Sequence, residues 1–175
     1  MARTIVVGGG AAGIAAAIAA AEGGHSVLVL ERNARPLKKL GVTGNGRCNL
    51  LNDGAPVYYG DAAFARDVLA RMPYARLRAF FERLGVPLRK EAEGRVYPAA
   101  LQAAVVADAL LLRARQLGVE IATGRRVTDI ARAGDSFALT LRELRDDGGA
   151  RGDKRALPSE KRQRRSPRFY KALTT

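Results

Sequence analysis

Three glycines near the amino terminus, Gly8, Gly10 and Gly13, follow a short β-branched run and precede an alanine-rich stretch. This spacing suits the binding of two phosphates. The first glycine permits a tight turn, the second lets the backbone approach a pyrophosphate, and the third allows close helix packing. Ala11 and Ala12 then begin a predicted helix whose amino end presents free N–H groups and a positive dipole.

An acidic residue follows the glycines at about the spacing of 20 residues that is typical of dinucleotide sites. Glu31 ends a second apolar run. A carboxylate there accepts hydrogen bonds from both ribose hydroxyls of an adenosine and repels a 2′-phosphate. The pattern therefore predicts FAD or NAD, without choosing between them, and disfavours NADP. The alternative, a flexible glycine-rich segment beside a strand-end charge, does not explain why strand, glycines, helix and acid agree.

A second glycine-rich segment over residues 38–49 reads Lys-Lys-Leu-Gly-Val-Thr-Gly-Asn-Gly-Arg-Cys-Asn. Such a backbone can turn its N–H groups inward around an anion. Arg47 would supply charge, and Asn45 or Asn49 would supply amide contacts. Taken alone, an ordinary surface turn with a solvated arginine explains the segment equally well.

The sequence predicts a strand over residues 3–8, a helix over 11–22 and a second strand over 26–31, with a tight turn between the first strand and the helix. The whole unit of about 30 residues has the length of a right-handed parallel crossover. Residues 33–60 predict an ordered loop or a short helix with extended arms. Further along the chain, helices, strands and a hairpin are expected. The helices are predicted at 61–71, 74–84 and 101–117, the hairpin at 86–97, a strand at 119–123, and an antiparallel pair at 125–131 and 136–142.

These segments together resemble the BaiN-like (YhiN-like) flavoproteins, also called the aminoacetone oxidase family of FAD-binding enzymes. The resemblance covers roughly residues 3–142. It is carried by Val-Val-Gly-Gly-Gly-Ala-Ala-Gly at 6–13, Leu-Glu-Arg-Asn at 30–33, the glycine-rich segment extended to 38–50, and Gly-Arg-Val-Tyr-Pro at 94–98. The second and fourth of these motifs, at 30–33 and 94–98, are far more specific than the first.

The resemblance implies an α/β, Rossmann-like FAD-binding domain of the two-dinucleotide flavoprotein type, with an inserted substrate-side domain. It implies an FAD-dependent oxidoreductase acting on an unknown small molecule, and it leaves NAD(P)H open as the electron donor. The implied FAD-site residues are Gly8, Gly10, Ala11, Ala12, Gly13, Glu31, Arg32, Lys39, Gly44, Asn45, Gly46 and Arg47, with Val127 reaching the adenine end through its backbone. No catalytic acid or base is assigned.

Family members are expected to be much longer than 175 residues, so the chain is expected to be the amino-terminal, cofactor-binding part and to stop before the rest of the enzyme. We assign residues 1–145 to the Rossmann-like domain, truncated relative to the family, and residues 146–175 to a basic, disordered tail. Self-association through an exposed, incomplete sheet is expected.

More than half of the formal net charge of +13 lies in residues 151–175 of this tail, which hold nine basic and two acidic residues. The tail has no aromatic platform or reading helix, so nucleic-acid binding would be nonspecific electrostatics and is disfavoured. A third alternative is an inactive truncated product. No apolar stretch reaches the roughly 18 residues of a membrane span, so a soluble protein is predicted.

One cysteine, Cys48, and one histidine, His25, leave no cluster with metal-ligand spacing, so no metal is predicted. A reducing cytoplasm is the expected location. Cys48 has no partner for disulfide exchange with a flavin and is predicted to be a buried packing residue rather than a redox group. His25 is predicted to lie at the surface. The tyrosines at 58, 59 and 97 could approach a flavin ring, although aromatic packing is their more frequent role.

Overall fold

The computed structural model describes residues 3–54, 57–143 and 172–173. The chain forms two compact units. The first unit comprises Met1–Pro36 and Gly118–Thr175, and the second unit comprises Leu37–Leu117. The second unit is therefore an insertion between the two segments that build the first.

The first unit begins with the predicted strand, helix and strand: β1 (Arg3–Val7), α1 (Ala11–Glu22) and β2 (Ser26–Leu30). β1 and β2 are parallel, and β6 (Glu120–Ala122) pairs in parallel with the other edge of β2, which gives the order β1-β2-β6. The last four residues of β2 are buried, as expected of a central parallel strand. α1 buries Ile14, Ala17 and Ile18. The predicted crossover is confirmed.

The second part of the first unit is the hairpin of β7 (Arg125–Ala133) and β8 (Ser136–Glu143). Its turn contains Gly134 at φ 60°. Leu139 of β8 packs with Leu28 and Leu30 of β2, so the hairpin shares a core with the parallel sheet. A two-residue strand, β9 (Ala172–Leu173), pairs antiparallel with β8.

The second unit contains an antiparallel sheet and three helices. The sheet has the order β3-β5-β4. Its strands are β3 (Leu51–Asn52), β4 (Leu88–Lys90) and β5 (Arg95–Pro98), and a 3-10 turn at Ala92–Gly94 closes the predicted hairpin. The helices are α2 (Ala62–Arg71), α3 (Tyr74–Arg83) and α4 (Ala103–Gln116), all predicted from the sequence. The long 33–60 segment contains short 3-10 turns within Leu40–Gly46, interrupted by non-helical backbone at Thr43, Gly44 and Asn45.

Local sequence explains where these helices begin and end. The side chain of Asp61 caps α2 by accepting a hydrogen bond of 2.9 Å from the Phe64 amide. α4 buries Ala103, Val106, Leu110 and Ala114, the helical spacing seen in the sequence. Gly118 then adopts φ 72°, a conformation that favours glycine, and ends the run.

The boundaries of one domain at 1–145 and a tail at 146–175 remain predictions. Apart from β9, that tail lies outside the described residues. Within the described ranges, no helix has both the length and the apolar character needed to cross a membrane.

Candidate functional site

The predicted glycine turn lies where β1 passes into α1. Gly8 adopts φ 103°, and its amide donates a 2.9 Å hydrogen bond to the carbonyl oxygen of Leu30 at the end of β2. A Cβ atom on Gly13 would lie 1.9 Å from the carbonyl oxygen of Gly8. Both positions therefore require glycine for reasons internal to the fold: backbone conformation at Gly8 and close helix packing at Gly13.

Gly10 differs from its two neighbours in the motif. Its φ of −77° and ψ of −178° are open to any residue. A Cβ atom there would meet no atom of the chain within 4 Å, and the residue is exposed. No contact or strain within this unit demands glycine at this position. What glycine does here is keep open the space at the start of α1.

The amino end of α1 faces that open space with unsatisfied donors. Ala11 and Ala12 are exposed, no side chain caps the helix, and its first turn carries no acid. The first N–H groups of a helix lack intrahelical acceptors and hold the positive end of the helix dipole. An anion placed against Gly10, Ala11 and Ala12 would meet donors and favourable charge.

Glu31 is a buried carboxylate joined to the glycine turn. Only 6% of the residue is exposed. Its Oε2 accepts a 2.6 Å hydrogen bond from the Gly9 amide, and its Oε1 accepts 2.7 Å and 2.5 Å hydrogen bonds from the backbone and side-chain nitrogens of Asn33. A Cβ atom on Gly9 would lie 3.0 Å from the Cβ of Glu31, so a larger residue at this position would press against the Glu31 side chain. The predicted ribose contact of Glu31 stays a prediction.

The backbone around Glu31 is held by the segment that follows the insertion. The Glu31 amide donates to Ala122 O at 2.9 Å, and its carbonyl accepts from the Arg125 amide at 2.8 Å. The carbonyl of Asn33 accepts from the Gly124 amide at 3.2 Å. The carboxylate therefore projects from a backbone fixed on both sides.

Two further predicted residues lie in this unit. Arg32 is exposed and directly follows Glu31. Val127 is partly buried against the Leu28, Leu30 and Leu139 cluster, next to a register shift in β7. The fold thus brings together the ends of β1 and β2, the start of α1 and the beginning of β7.

The remaining predicted residues belong to the second unit, in the glycine-rich segment. Gly44, Asn45 and Gly46 adopt φ of 55°, 55° and 80°, three left-handed residues in succession. A Cβ atom on Gly44 would lie 2.8 Å from the amide nitrogen of Asn49, so packing also requires glycine there. Lys39 and Asn45 are exposed.

Arg47 is held by two partners. Its Nη2 lies 2.6 Å from each carboxylate oxygen of Glu91, and its Cζ lies 4.5 Å from the centre of the Tyr97 ring. Arg89 also contacts Glu91, at 3.4 Å. Two arginines therefore share one carboxylate, and the Arg47 charge is partly offset rather than free.

Four other residues named in the sequence analysis lie in the described part of the chain. Cys48 is buried, as predicted, and burial raises the pKa of its thiol above the ordinary value of 9.0, against a smaller opposing effect of a hydrogen bond to Thr43. His25 is partly buried, with Nδ1 3.2 Å from Thr4 Oγ1. Tyr97 is buried, whereas Tyr59 is 94% exposed. No group of three or more potential metal ligands occurs among the described residues.

Sequence reasoning missed Asn33, Gly9 and Glu91. Asn33 lies two residues after an acid at a strand end, a position where asparagine forms local side-chain turns, so a signal existed. Gly9 lies between two motif glycines, and the motif assigns it no role of its own. Glu91 is 44 positions from Arg47, and nothing in either segment indicates their pairing.

Comparison with known proteins identifies the family. The family description "HI0933-like protein Rossmann domain" matches residues 2–148. The chain belongs to the HI0933-like family. The relationship to BaiN-like proteins predicted from the motifs is confirmed by a curated relative, the 3-dehydro-bile acid delta(4,6)-reductase of Clostridium scindens, which is 42% identical over 144 residues. That match covers 79% of this chain and 35% of the relative, so the chain spans about a third of the relative's length.

Solved structures confirm the fold of this HI0933-like chain. The 3-ketosteroid-delta4-(5alpha)-dehydrogenase of Rhodococcus jostii RHA1 superposes with a TM-score of 0.57 at 17% identity, over 79% of this chain and 42% of that one. THI4 of Thermovibrio ammonificans gives 0.55 at 15% identity, over 81% and 47%. The predicted α/β, Rossmann-like class is therefore confirmed.

Proposed function

We propose that this HI0933-like chain is the FAD-binding part of a flavoprotein oxidoreductase. The observation that carries the proposal is Gly10, which neither strain nor packing requires to be glycine. It lies at the uncapped amino end of α1. A ligand whose pyrophosphate approaches the backbone explains both features.

The charge and burial of Glu31 support a dinucleotide with an unmodified adenosine ribose. A buried carboxylate beside the turn would repel a 2′-phosphate, because the like charges would meet where water screens them poorly. FAD is proposed over NAD because the specific motifs of the family are those of flavoproteins. The proposed contacts in the first unit are Gly8, Gly10, Ala11, Ala12, Gly13, Glu31, Arg32 and Val127.

A further group of contacts is proposed in the second unit. It comprises Lys39, Gly44, Asn45, Gly46 and Arg47. The left-handed run over Gly44–Gly46 and the arginine beside it suit recognition of an anionic or carbonyl-rich ligand group. When bound, FAD supplies the redox chemistry, and the residues of this chain bind and orient it.

The activity of the whole protein is proposed as electron transfer between the flavin and a small organic molecule, with NAD(P)H as a proposed electron donor. The curated relative is named as a reductase of a bile acid. We propose a small-molecule substrate on that basis and carry over no particular compound. Self-association through an uncovered sheet face stays a prediction.

The test is the visible absorption spectrum of the purified chain after incubation with FAD and desalting. We expect retained flavin bands near one FAD per chain for the wild type and their loss in Gly10→Val. Ala19→Val is the matched control, because Ala19 is an exposed residue of α1 and is also changed to valine, away from the amino end of the helix. A folded wild-type chain that emerges colourless would refute the proposal and support an inactive product. Equal retention by wild type and Gly10→Val would refute the role of Gly10.

A further inference from the structure

The hydrogen-bonding capacity of Glu31 is nearly filled by the protein itself. A carboxylate offers about four acceptor sites, two on each oxygen. Oε1 accepts from both nitrogens of Asn33, and Oε2 accepts from Gly9. Among the residues that the structure describes, these hydrogen bonds leave one acceptor site, on Oε2, for a ligand. A vicinal diol has two hydroxyl donors, so Glu31 cannot satisfy both in this arrangement.

The second acceptor lies on the neighbouring side chain. The Asn33 amide must direct its NH₂ group at Glu31, because a carboxylate accepts and does not donate. Its Oδ1 therefore remains as an acceptor, on the same amide group as the nitrogen that contacts Oε1. The Asn33 backbone is fixed by its own hydrogen bond to Glu31 and by the Gly124 amide, so the side chain is anchored at its base.

We propose that Asn33 determines specificity for the adenosine ribose together with Glu31. Oε2 of Glu31 accepts from one ribose hydroxyl and Oδ1 of Asn33 accepts from the other, so recognition of the diol is shared. This inference rests on the proposed dinucleotide site. It assigns to Asn33 a role that Glu31 alone would otherwise fill.

The partly buried position of Asn33 strengthens the assignment. The pair is linked by two hydrogen bonds to one oxygen, so the carboxylate cannot rotate toward both hydroxyls without losing contacts to the protein. Leaving such a buried acceptor or donor unpaired is costly. Sharing the diol keeps every hydrogen bond seen in the structure and adds two.

The test uses the full 175-residue chain and three probes: ADP, 2′-deoxy-ADP and 3′-deoxy-ADP. ADP contains the pyrophosphate and the adenosine ribose without the flavin. Dissociation constants are measured by calorimetry for the wild type and for Asn33→Ala. Losing one neutral hydrogen bond of about 1 kcal/mol weakens binding roughly fivefold. We expect this loss for ADP and for one deoxy analogue, and no further loss for the analogue that lacks the hydroxyl bound by Asn33.

A purely structural role for Asn33 gives a different result. If Asn33 only supports Glu31 or the fold, Asn33→Ala weakens all three ligands by the same factor, and the proposal is overturned. Asn33→Ser retains a hydroxyl near the same place and is expected to recover part of the discrimination. Asn52→Ala is the control, because Asn52 makes comparable hydrogen bonds, to Gly54 and Glu93, within the second unit. It should leave the three dissociation constants in their wild-type ratio.

Failure of this inference is distinct from failure of the proposed function. If the wild type binds FAD and ADP but shows no selective loss in Asn33→Ala, only the role of Asn33 is refuted. If the folded wild type binds neither FAD nor ADP, the dinucleotide site itself is refuted, and the role of Asn33 with it.

Discussion

The Gly13 backbone lies so close to the carbonyl oxygen of Gly8 that a Cβ atom on Gly13 would be 1.9 Å from it. Three positions further back, a Cβ atom on Gly10 would touch nothing. Two glycines of one motif therefore answer to different demands. Gly13 serves the packing of α1 on the turn, and Gly10 keeps the space in front of α1 clear.

This difference predicts that the same substitution, glycine to alanine, destabilises the chain much more at position 13 than at position 10. Gly13→Ala is expected to lower the free energy of unfolding by about 2–3 kcal/mol, because backbone must move to admit the methyl group. Gly10→Ala should change it by less than about 1 kcal/mol, since the loss of a favoured capping residue is offset by reduced freedom of the unfolded chain. Urea unfolding followed by circular dichroism measures both. Similar stabilities for the two variants would contradict the packing shown at Gly13.

Alanine substitutions at Gly44 and Gly46 distinguish the cost of steric conflict from the cost of backbone strain. Gly44 and Gly46 both have positive φ, but only Gly44 faces a close neighbour, the Asn49 amide. Gly46→Ala is expected to cost about 1 kcal/mol through left-handed strain alone. Gly44→Ala should cost about 1–2 kcal/mol more, because the methyl group also displaces the backbone at Asn49. Equal losses by chemical denaturation would show that the close approach at Gly44 is readily relieved.

Glu91 is expected to matter more than an exposed partner in an ion pair. Glu91→Gln leaves Arg47 and Arg89 beside each other without their shared carboxylate, and we expect a loss of about 1 kcal/mol. Glu82→Gln breaks the exposed pair with Arg78 and should cost less than Glu91→Gln, because water screens this pair. Both free energies of unfolding should be compared at low and high salt. If Glu91→Gln lowers the free energy of unfolding no more than Glu82→Gln does, the conclusion that Glu91 holds Arg47 in place is wrong.

The buried thiol of Cys48 is expected to make the free energy of unfolding decrease at alkaline pH. Burial raises the pKa of its thiol in the folded chain above the ordinary value of 9.0. Below pH 9 the thiol is protonated in both states and its contribution to stability is complete. As the pH rises further, the unfolded chain loses the proton first, so stability falls until the folded thiol also ionises.

The wild type should therefore lose more stability between pH 8 and about pH 10.5 than Cys48→Ala, although the variant starts lower because it loses packing. Comparing the two chains cancels the lysine and tyrosine titrations that they share. Urea unfolding at both pH values supplies the measurement. Parallel losses in the two chains would place the folded thiol pKa at its ordinary value.

Much of this fold was predictable because local patterns dominate it. Residues 11–22 form a helix through alanine propensity, and the apolar spacing of Val106, Leu110 and Ala114 marks the buried face of α4. The hairpin predicted over residues 86–97 turns at Glu93 and Gly94, and both residues adopt positive φ.

The features that could not be predicted from the sequence depend on side-chain contacts that no local pattern indicates. Arg47 reads as a free cation until Glu91 is placed against it. Glu31 reads as a carboxylate open to ligand until Asn33 and Gly9 are seen on its oxygens. The family resemblance implied an inserted domain, but the sequence did not predict the bounds Leu37–Leu117 of the second unit.

The pairing of β2 with β6 has a consequence for how the chain acquires its structure. β1, α1 and β2 leave the ribosome well before β6, and one edge of β2 stays unpaired while the whole insertion is made. Closing a flexible loop of that length costs roughly 4 kcal/mol of chain entropy. If the insertion folds first, it shortens the effective loop and lowers this barrier. The second unit would then fold before the first unit is complete, although it lies within the first unit in sequence. The glycine turn beside Glu31 would reach its final structure only after that step.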